Sequence, residues 1–205
     1  MNTGTAEQKL FKSAAERHRK WLHLIMWSSI FATVLLTEPP RGGHHLNEYI
    51  HVVGYVLIIL ATTGTLWCGI YIFGRKTKEL CQDGPYSLCR NPIYVFHFVG
   101  GLGIVMGTSR IGLIIPFVAA YCLYYYFVIE SEQKRLLKFF GKEYENYCAR
   151  TPRVIPRFRN YWSREIREIS PHHLSLKIIN SMNFLWAMVS LQLLDAIKGS
   201  FRIGS

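Results

Sequence analysis

Five apolar runs, Leu22–Thr37, Ile50–Phe73, Ile93–Gly107, Ile111–Ile129 and Ile178–Ile197, contain no Asp, Glu, Lys or Arg apart from Asp195 near the end of the last. A bilayer core takes about 20 consecutive apolar residues as a helix, so the runs predict an all-α membrane protein with about five transmembrane helices. The first and third are short of that length, which leaves a re-entrant or tilted hairpin open for the pair joined by "GTSRIG". Half of the residues are hydrophobic and only 18% are charged, consistent with one greasy membrane domain spanning residues 1–205.

Charge orients the spans. With the N-terminus inside, Lys and Arg number five before Trp21, four in Gly74–Asn91 and eleven in Ser131–Lys177, 20 of the chain's 24. The positive-inside rule then predicts a cytoplasmic N-terminus and a C-terminus across the membrane, in a bacterial inner membrane or an endoplasmic reticulum. The same bias accounts for the net charge of +11 without a nucleic-acid partner, because these charges flank spans instead of lining a soluble basic face.

The polar segment before Trp21 shows no small-residue cleavage site, so the first run is expected to stay as an anchor. Cys68, Cys81, Cys89, Cys122 and Cys148 form no C-x-x-C pair, and the adjacent His44 and His45 are an incomplete ligand set, so no metal site is expected. Thr65 with Gly69, and Gly103 with Gly107, have the small-xxx-small spacing of closely packed helices.

Two stretches predicted to share the cytoplasmic side carry the chemistry. In "GPYSLCRNPIY", Gly84–Tyr94, the "DGPY" turn precedes Arg90, and Pro92 drives Asn91 out of helical geometry where the third run begins. A helix N-terminus beside an arginine can hold a carboxylate, and Tyr86, Tyr94 and Arg90 would serve equally as interfacial anchors. In "ESEQKRLLKFFGKEYENYCARTPRVIPRF", helical spacing carries the fourth run beyond the membrane to Gly141. It brings Glu130 and Glu132 to the membrane edge, where Glu132 either accepts from ribose hydroxyls or pairs with Arg135 or Lys134.

"GPYSLCRNPIY", a span hairpin, then Glu132, Leu136, "FG", "EYENY" and "TPRVIP" together resemble the membrane methyltransferases related to isoprenylcysteine carboxyl methyltransferase and the phospholipid methyltransferases. The resemblance covers residues 54–156 as a methyltransferase-like core and leaves 177–198 as an extra C-terminal span. It implies S-adenosyl-L-methionine as cofactor, in a cytoplasmic pocket between the loop before the third span and the extension of the fourth. Lys78, Glu79, Leu80 and Cys81 would lie along it, Tyr86 would flank it, and Asn91, Pro92, Ile93 and Tyr94 match the family's His-Pro-x-Tyr element. Glu132 matches the glutamate that contacts the cofactor. Arg90, or the N–H groups beyond Pro92, would take its carboxylate, and Arg153 would help close the site.

Asn91 in place of histidine can hydrogen-bond but cannot titrate near neutrality, so no catalytic residue is assigned. Gln133 replaces the second member of the usual glutamate pair. Val128 stands where the carboxyl methyltransferases place an arginine for the acceptor carboxylate, which argues against an isoprenylcysteine carboxylate as substrate. The implied activity is methyl transfer to a lipid-like or small hydrophobic membrane-borne acceptor, entering from the bilayer past the aromatic run "YCLYYYF". Phospholipid or amine N-methylation is the nearest alternative, and a steroid-reductase-like NADPH oxidoreductase the alternative from another class.

Overall fold

The computed structural model describes residues 44–72, 79–164 and 181–203, together with Ser28, Ala32, Ser175, Ile178 and Ile179. The chain divides into two units, Met1–Pro39 and Pro40–Ser205. The first expected span, Leu22–Thr37, belongs to the former and, Ser28 and Ala32 apart, lies outside the described residues, as does Lys78.

Within the second unit the regular structure among the described residues is helical, with no strand. Helix α1 is His44–Ile72, α2 the short Pro85–Leu88, α3 Pro92–Gly107, α4 Ile114–Phe140, α5 Lys142–Arg150 and α6 Asn183–Ile203. Glu48–Ile72 and Ile111–Phe140, which includes the 3-10 turn before α4, are long and apolar enough to cross a bilayer. Pro92–Gly107 and Asn183–Ile197 are shorter apolar helices. The 16 residues of α3 rise only about 24 Å, less than the roughly 30 Å of a hydrocarbon core, and two of the five expected spans therefore reach full length among the described residues.

Pro92 occupies the first turn of α3, where its missing N–H is not needed, and Asn91 before it is non-helical at φ −127°. The helix is glycine-rich because it packs against α1 at backbone distance. A Cβ on Gly54 of α1 would stand 2.6 Å from the Gly107 nitrogen and 2.8 Å from the Gly103 oxygen, so this crossing excludes any side chain at Gly54. From the other side α6 lays Phe184 against Gly100 and Met188 against Gly107.

The turn from α3 into α4 is tied to both neighbours. Ser109, at φ 55°, bonds through Oγ to His51 Nε2 of α1 at 2.7 Å. Arg110 donates to both oxygens of Asp195 on α6, at 2.9 and 3.0 Å. Asp195 thus faces protein, as its cost in lipid demands. Helix α4 ends at Phe140 with Gly141 at φ 48°, the predicted stop, and the chain turns at once into α5.

Candidate functional site

Four elements converge at the start of α3: the loop 79–91, the charged end of α4, α5, and a non-repetitive strap, Thr151–Arg164. Helix α5 is amphipathic. Tyr144 and Tyr147, three residues apart, are buried on one face while Lys142, Glu143, Glu145 and Arg150 are exposed. The two tyrosines enclose Leu80, with Leu136 and Phe140 of α4 packed around them. Burial fastens the loop to the helix extension from below.

The strap fastens it from the other side, mostly through main chain. Arg90 N–H donates to Pro152 O at 2.8 Å, Arg157 N–H to Leu88 O at 3.0 Å, and Gly84 N–H to Trp162 O at 2.8 Å. Asn91 Nδ2 adds a bond to Arg153 O at 2.8 Å, and Trp162 N–H reaches Ser87 Oγ at 3.2 Å. Gly84 takes φ 60° and lies so close to the Tyr71 ring that a Cβ would fall 1.9 Å from it, which explains the glycine of "DGPY". The far end of the strap carries Arg164, within 3.5 Å of Glu79 and 3.9 Å of the buried Asp83.

The expected cofactor residues take different positions in this frame. Tyr94, in the first turn of α3, donates its hydroxyl to Glu132 Oε2, and Glu132 Oε1 accepts from Arg135 at 3.1 Å. The two stretches singled out in the sequence therefore meet at this pair. One oxygen of Glu132 serves Arg135, as helical spacing suggested, and the other serves Tyr94. Glu130, two residues earlier, pairs with Arg153 at 3.0 Å. Arg153 also lies over the Tyr126 ring, 5.5 Å from its centroid, joining the strap to α4.

Arg90 turns its Nη1 to Cys148 Sγ at 2.7 Å, and its Nε is buried with no hydrogen-bond partner among the described residues. Cys81 and Tyr86 lie deeper, packed with Cys68, and Ile93 covers that cluster. Tyr147 donates to the Tyr86 carbonyl at 2.6 Å, while the Tyr86 hydroxyl is buried and likewise without a partner there. Glu79 stands at the exposed rim.

A cleft of about 270 Å³ opens between α4 and α5, lined among others by Glu130, Gln133, Lys134, Tyr144 and Cys148. Neither Tyr94 nor Glu132 lines it. The loop reaches its wall through the contact of Arg90 with Cys148, and Gln133 Nε2 is a buried donor with no partner among the described residues. Burial pushes the Tyr144 phenol up to about 12, with Cys148 beside it adding to the shift and Arg90 opposing it, and pushes the Cys89 thiol up to about 11. Tyr86 and Tyr147 are raised by the same cause. These hydroxyls and thiols stay neutral near pH 7, and charge near the site comes from Arg90, Glu130, Glu132, Arg135 and Arg153.

Sequence reasoning quoted "EYENY" and named Cys148 but gave Tyr144, Tyr147 and Cys148 no place in the site, and it did not single out Trp162. The tyrosines had a signal, an i, i+3 pair in "EYENY" on an otherwise charged helix; Trp162 had none, because its bond to Gly84 uses its carbonyl.

The inward half of "YCLYYYF" fills the α3/α4 seam. Tyr121 and Tyr125 are buried and stacked at 4.0 Å, Tyr125 lies 4.9 Å from Tyr94, and Tyr121 donates to the Tyr94 carbonyl at 2.6 Å. Tyr126 and Phe127 are exposed.

Residues 49–143 match the model of the phospholipid methyltransferase family. The chain is 31% identical over 179 residues to the cobalt-zinc-cadmium resistance protein CzcN of Cupriavidus metallidurans, an alignment covering 87% of this chain and 82% of that protein. It is 32% identical over 169 residues to the nickel-cobalt-cadmium resistance protein NccN of Alcaligenes xylosoxydans xylosoxydans, covering 82% and 79%. Over 82 residues, 40% of this chain and 35% of the relative, it is 32% identical to the protein-S-isoprenylcysteine O-methyltransferase of Schizosaccharomyces pombe. No solved structure matches.

Proposed function

The chain belongs to the family of membrane methyltransferases that includes the phospholipid and isoprenylcysteine methyltransferases, and from that premise we propose that it is an S-adenosylmethionine-dependent methyltransferase acting on a lipid-like or small hydrophobic acceptor held in the membrane. The observation that carries the reading is the junction of Tyr94 and Glu132, which joins the "RNPIY" element to the helix extension with a carboxylate at its centre. The positive-inside bias supports a cytoplasmic face for this site in a multi-pass protein.

The residues present fit the cofactor. S-adenosylmethionine carries a carboxylate, a ribose diol and a sulfonium cation, and the region offers a chemical counterpart for each. Arg90 has a buried, unpartnered Nε donor for a carboxylate, and Gln133 a second unpartnered donor. Glu132 is an acceptor for hydroxyls, and the tyrosine rings suit a cation. Glu79 stands at the exposed rim with Leu80 and Cys81 buried behind it, and Asn91, Pro92 and Ile93 lead into Tyr94. Tyr86 backs this wall from the core.

When bound, the cofactor supplies an electrophilic methyl group. The chain's own part is orientation and exclusion of water. Arg135 holds one oxygen of Glu132, and Tyr94 holds the other. The strap, pinned through Arg153 to Glu130, covers the loop.

The test is equilibrium binding of tritiated S-adenosylhomocysteine to the detergent-purified protein, with NADPH as competitor. Saturable binding that excess NADPH leaves in place supports the proposal. Displacement by NADPH, with no preference for the adenosyl compound, would favour the oxidoreductase reading instead.

A further inference from the structure

His97 follows Tyr94 by three residues on α3, so the two share a face, with His97 about 4.5 Å further along the helix axis. It is half-buried in an otherwise apolar helix, and an ionisable side chain inside a membrane bundle marks chemistry more often than packing. Its Nδ1 is 3.5 Å from the Tyr125 hydroxyl of α4, and the Phe184 ring of α6 stands edge-on at 5.6 Å. Helix α1 meets the same stretch with Gly64 against Phe96 and Ala61 against Gly100. Tyr125 of α4 presents its hydroxyl to the imidazole, and Tyr94 lies one turn back on the same face of its own helix. Tyr125 packs on Tyr94, whose hydroxyl reaches Glu132. The line Glu132, Tyr94, Tyr125, His97 runs from the proposed donor site into the bundle, where a membrane-borne acceptor would arrive.

An acceptor carboxylate would want a cation nearby, and Val128, one turn before Glu132, supplies none. Taking the methyltransferase reading above as given, we infer that His97 is the proton acceptor for a neutral nucleophile, an amine, thiol or hydroxyl that sheds a proton on methylation. The acceptor heteroatom forms a bond to the methyl carbon. The carbon–sulfur bond of the sulfonium donor breaks, leaving its electron pair on sulfur as a neutral thioether. The heteroatom's proton passes to the His97 imidazole, which later returns it to water. Charge balances, since one sulfonium becomes one imidazolium. Tyr125 is a positioning residue that orients the ring.

Membrane vesicles containing the full chain, incubated with S-adenosylmethionine tritiated in the methyl group, test this. After alkali the volatile label is counted apart from the total, because a methyl ester is released as methanol while methyl on nitrogen, sulfur or an ether oxygen stays non-volatile. The wild type should give alkali-stable label. His97→Gln should lose about 100-fold of it while retaining thermal stabilisation by S-adenosylhomocysteine. The wild-type rate should rise with pH through the imidazole range, and the residual rate of His97→Gln should not. If His97→Gln does not fold, Tyr125→Phe decides: a displaced pH midpoint supports the assignment and an unmoved one contradicts it. Alkali-released label, or activity of His97→Gln within about threefold of wild type, would overturn the inference and leave the methyltransferase reading intact. So would the absence of label from a wild type that S-adenosylhomocysteine does stabilise. A wild type that the homocysteine does not stabilise removes the reading and the inference together.

Discussion

The Tyr94 hydroxyl donates to Glu132 Oε2 across the gap between the first turn of α3 and the charged half of α4, two positions 38 residues apart in the chain. A hydrogen bond to a charged group contributes about 1.5–3 kcal/mol. Tyr94→Phe should therefore weaken S-adenosylhomocysteine binding by roughly 10- to 100-fold with the fold retained, measured by titration calorimetry in detergent. Unchanged affinity would show that the pair is structural alone.

The ion pair between Arg110 and Asp195 joins the α3/α4 turn to α6, with the arginine side chain only 4% exposed. Removing one partner of a buried pair leaves an uncompensated charge, so Asp195→Ala should cost about 3–5 kcal/mol of stability. The double variant Arg110→Leu, Asp195→Leu should recover most of that loss in thermal melting. A single variant as stable as wild type would contradict the assigned role.

At the α1/α3 crossing, Gly54→Leu should abolish the folded state, because the new side chain would meet backbone atoms that cannot yield. At Gly112 a Cβ would meet nothing within 4 Å among the described residues, so alanine there should change little. Size-exclusion profiles of the two variants separate these outcomes.

The helices were largely legible in the sequence, and for definite reasons. Charge-free runs set α1, α3 and α4, Pro92 set the start of α3, and Gly141 the end of α4. Asp195 was legible only as a residue that must face protein; that its partner is Arg110 depends on the fold. The site was half legible. Glu132 and Tyr94 stood out because a carboxylate at a membrane edge and a proline-led helix start are chemical anomalies. Of the strap only Arg153 in "TPRVIP" stood out, since Pro152, Arg157 and Trp162 hold the loop through main-chain groups that every residue carries. The contact of Arg90 with Cys148 was not legible, because neither residue type prefers the other.

The strap carries a prediction of its own. Asn91→Ala removes the bond from Nδ2 to Arg153 O, a loss of about 1 kcal/mol. Trypsin should then cut at the exposed Arg157 and Arg159 several times faster than in wild type, because the strap opens more often. An unchanged cleavage rate would place the strap's hold elsewhere.

Raised pKa values give a pH window. Cys89 moves from 9.0 to about 11 and Tyr144 from 10.0 to about 12, so both keep their protons in the fold after the unfolded chain has released them. Their contribution is complete below about pH 9 and is lost as pH rises, through 9–11 for Cys89 and 10–12 for Tyr144. Melting temperatures should fall across that range, and Tyr144→Phe should flatten the upper part of the fall.

A methyl-donor site built around Glu132 is tested most directly by thermal stabilisation of the detergent-purified protein by S-adenosylmethionine and S-adenosylhomocysteine, wild type beside Glu132→Ala. Both compounds should raise the melting temperature of the wild type, and neither should move the variant. A folded wild type indifferent to both, or a variant stabilised as strongly as wild type, would contradict the assignment.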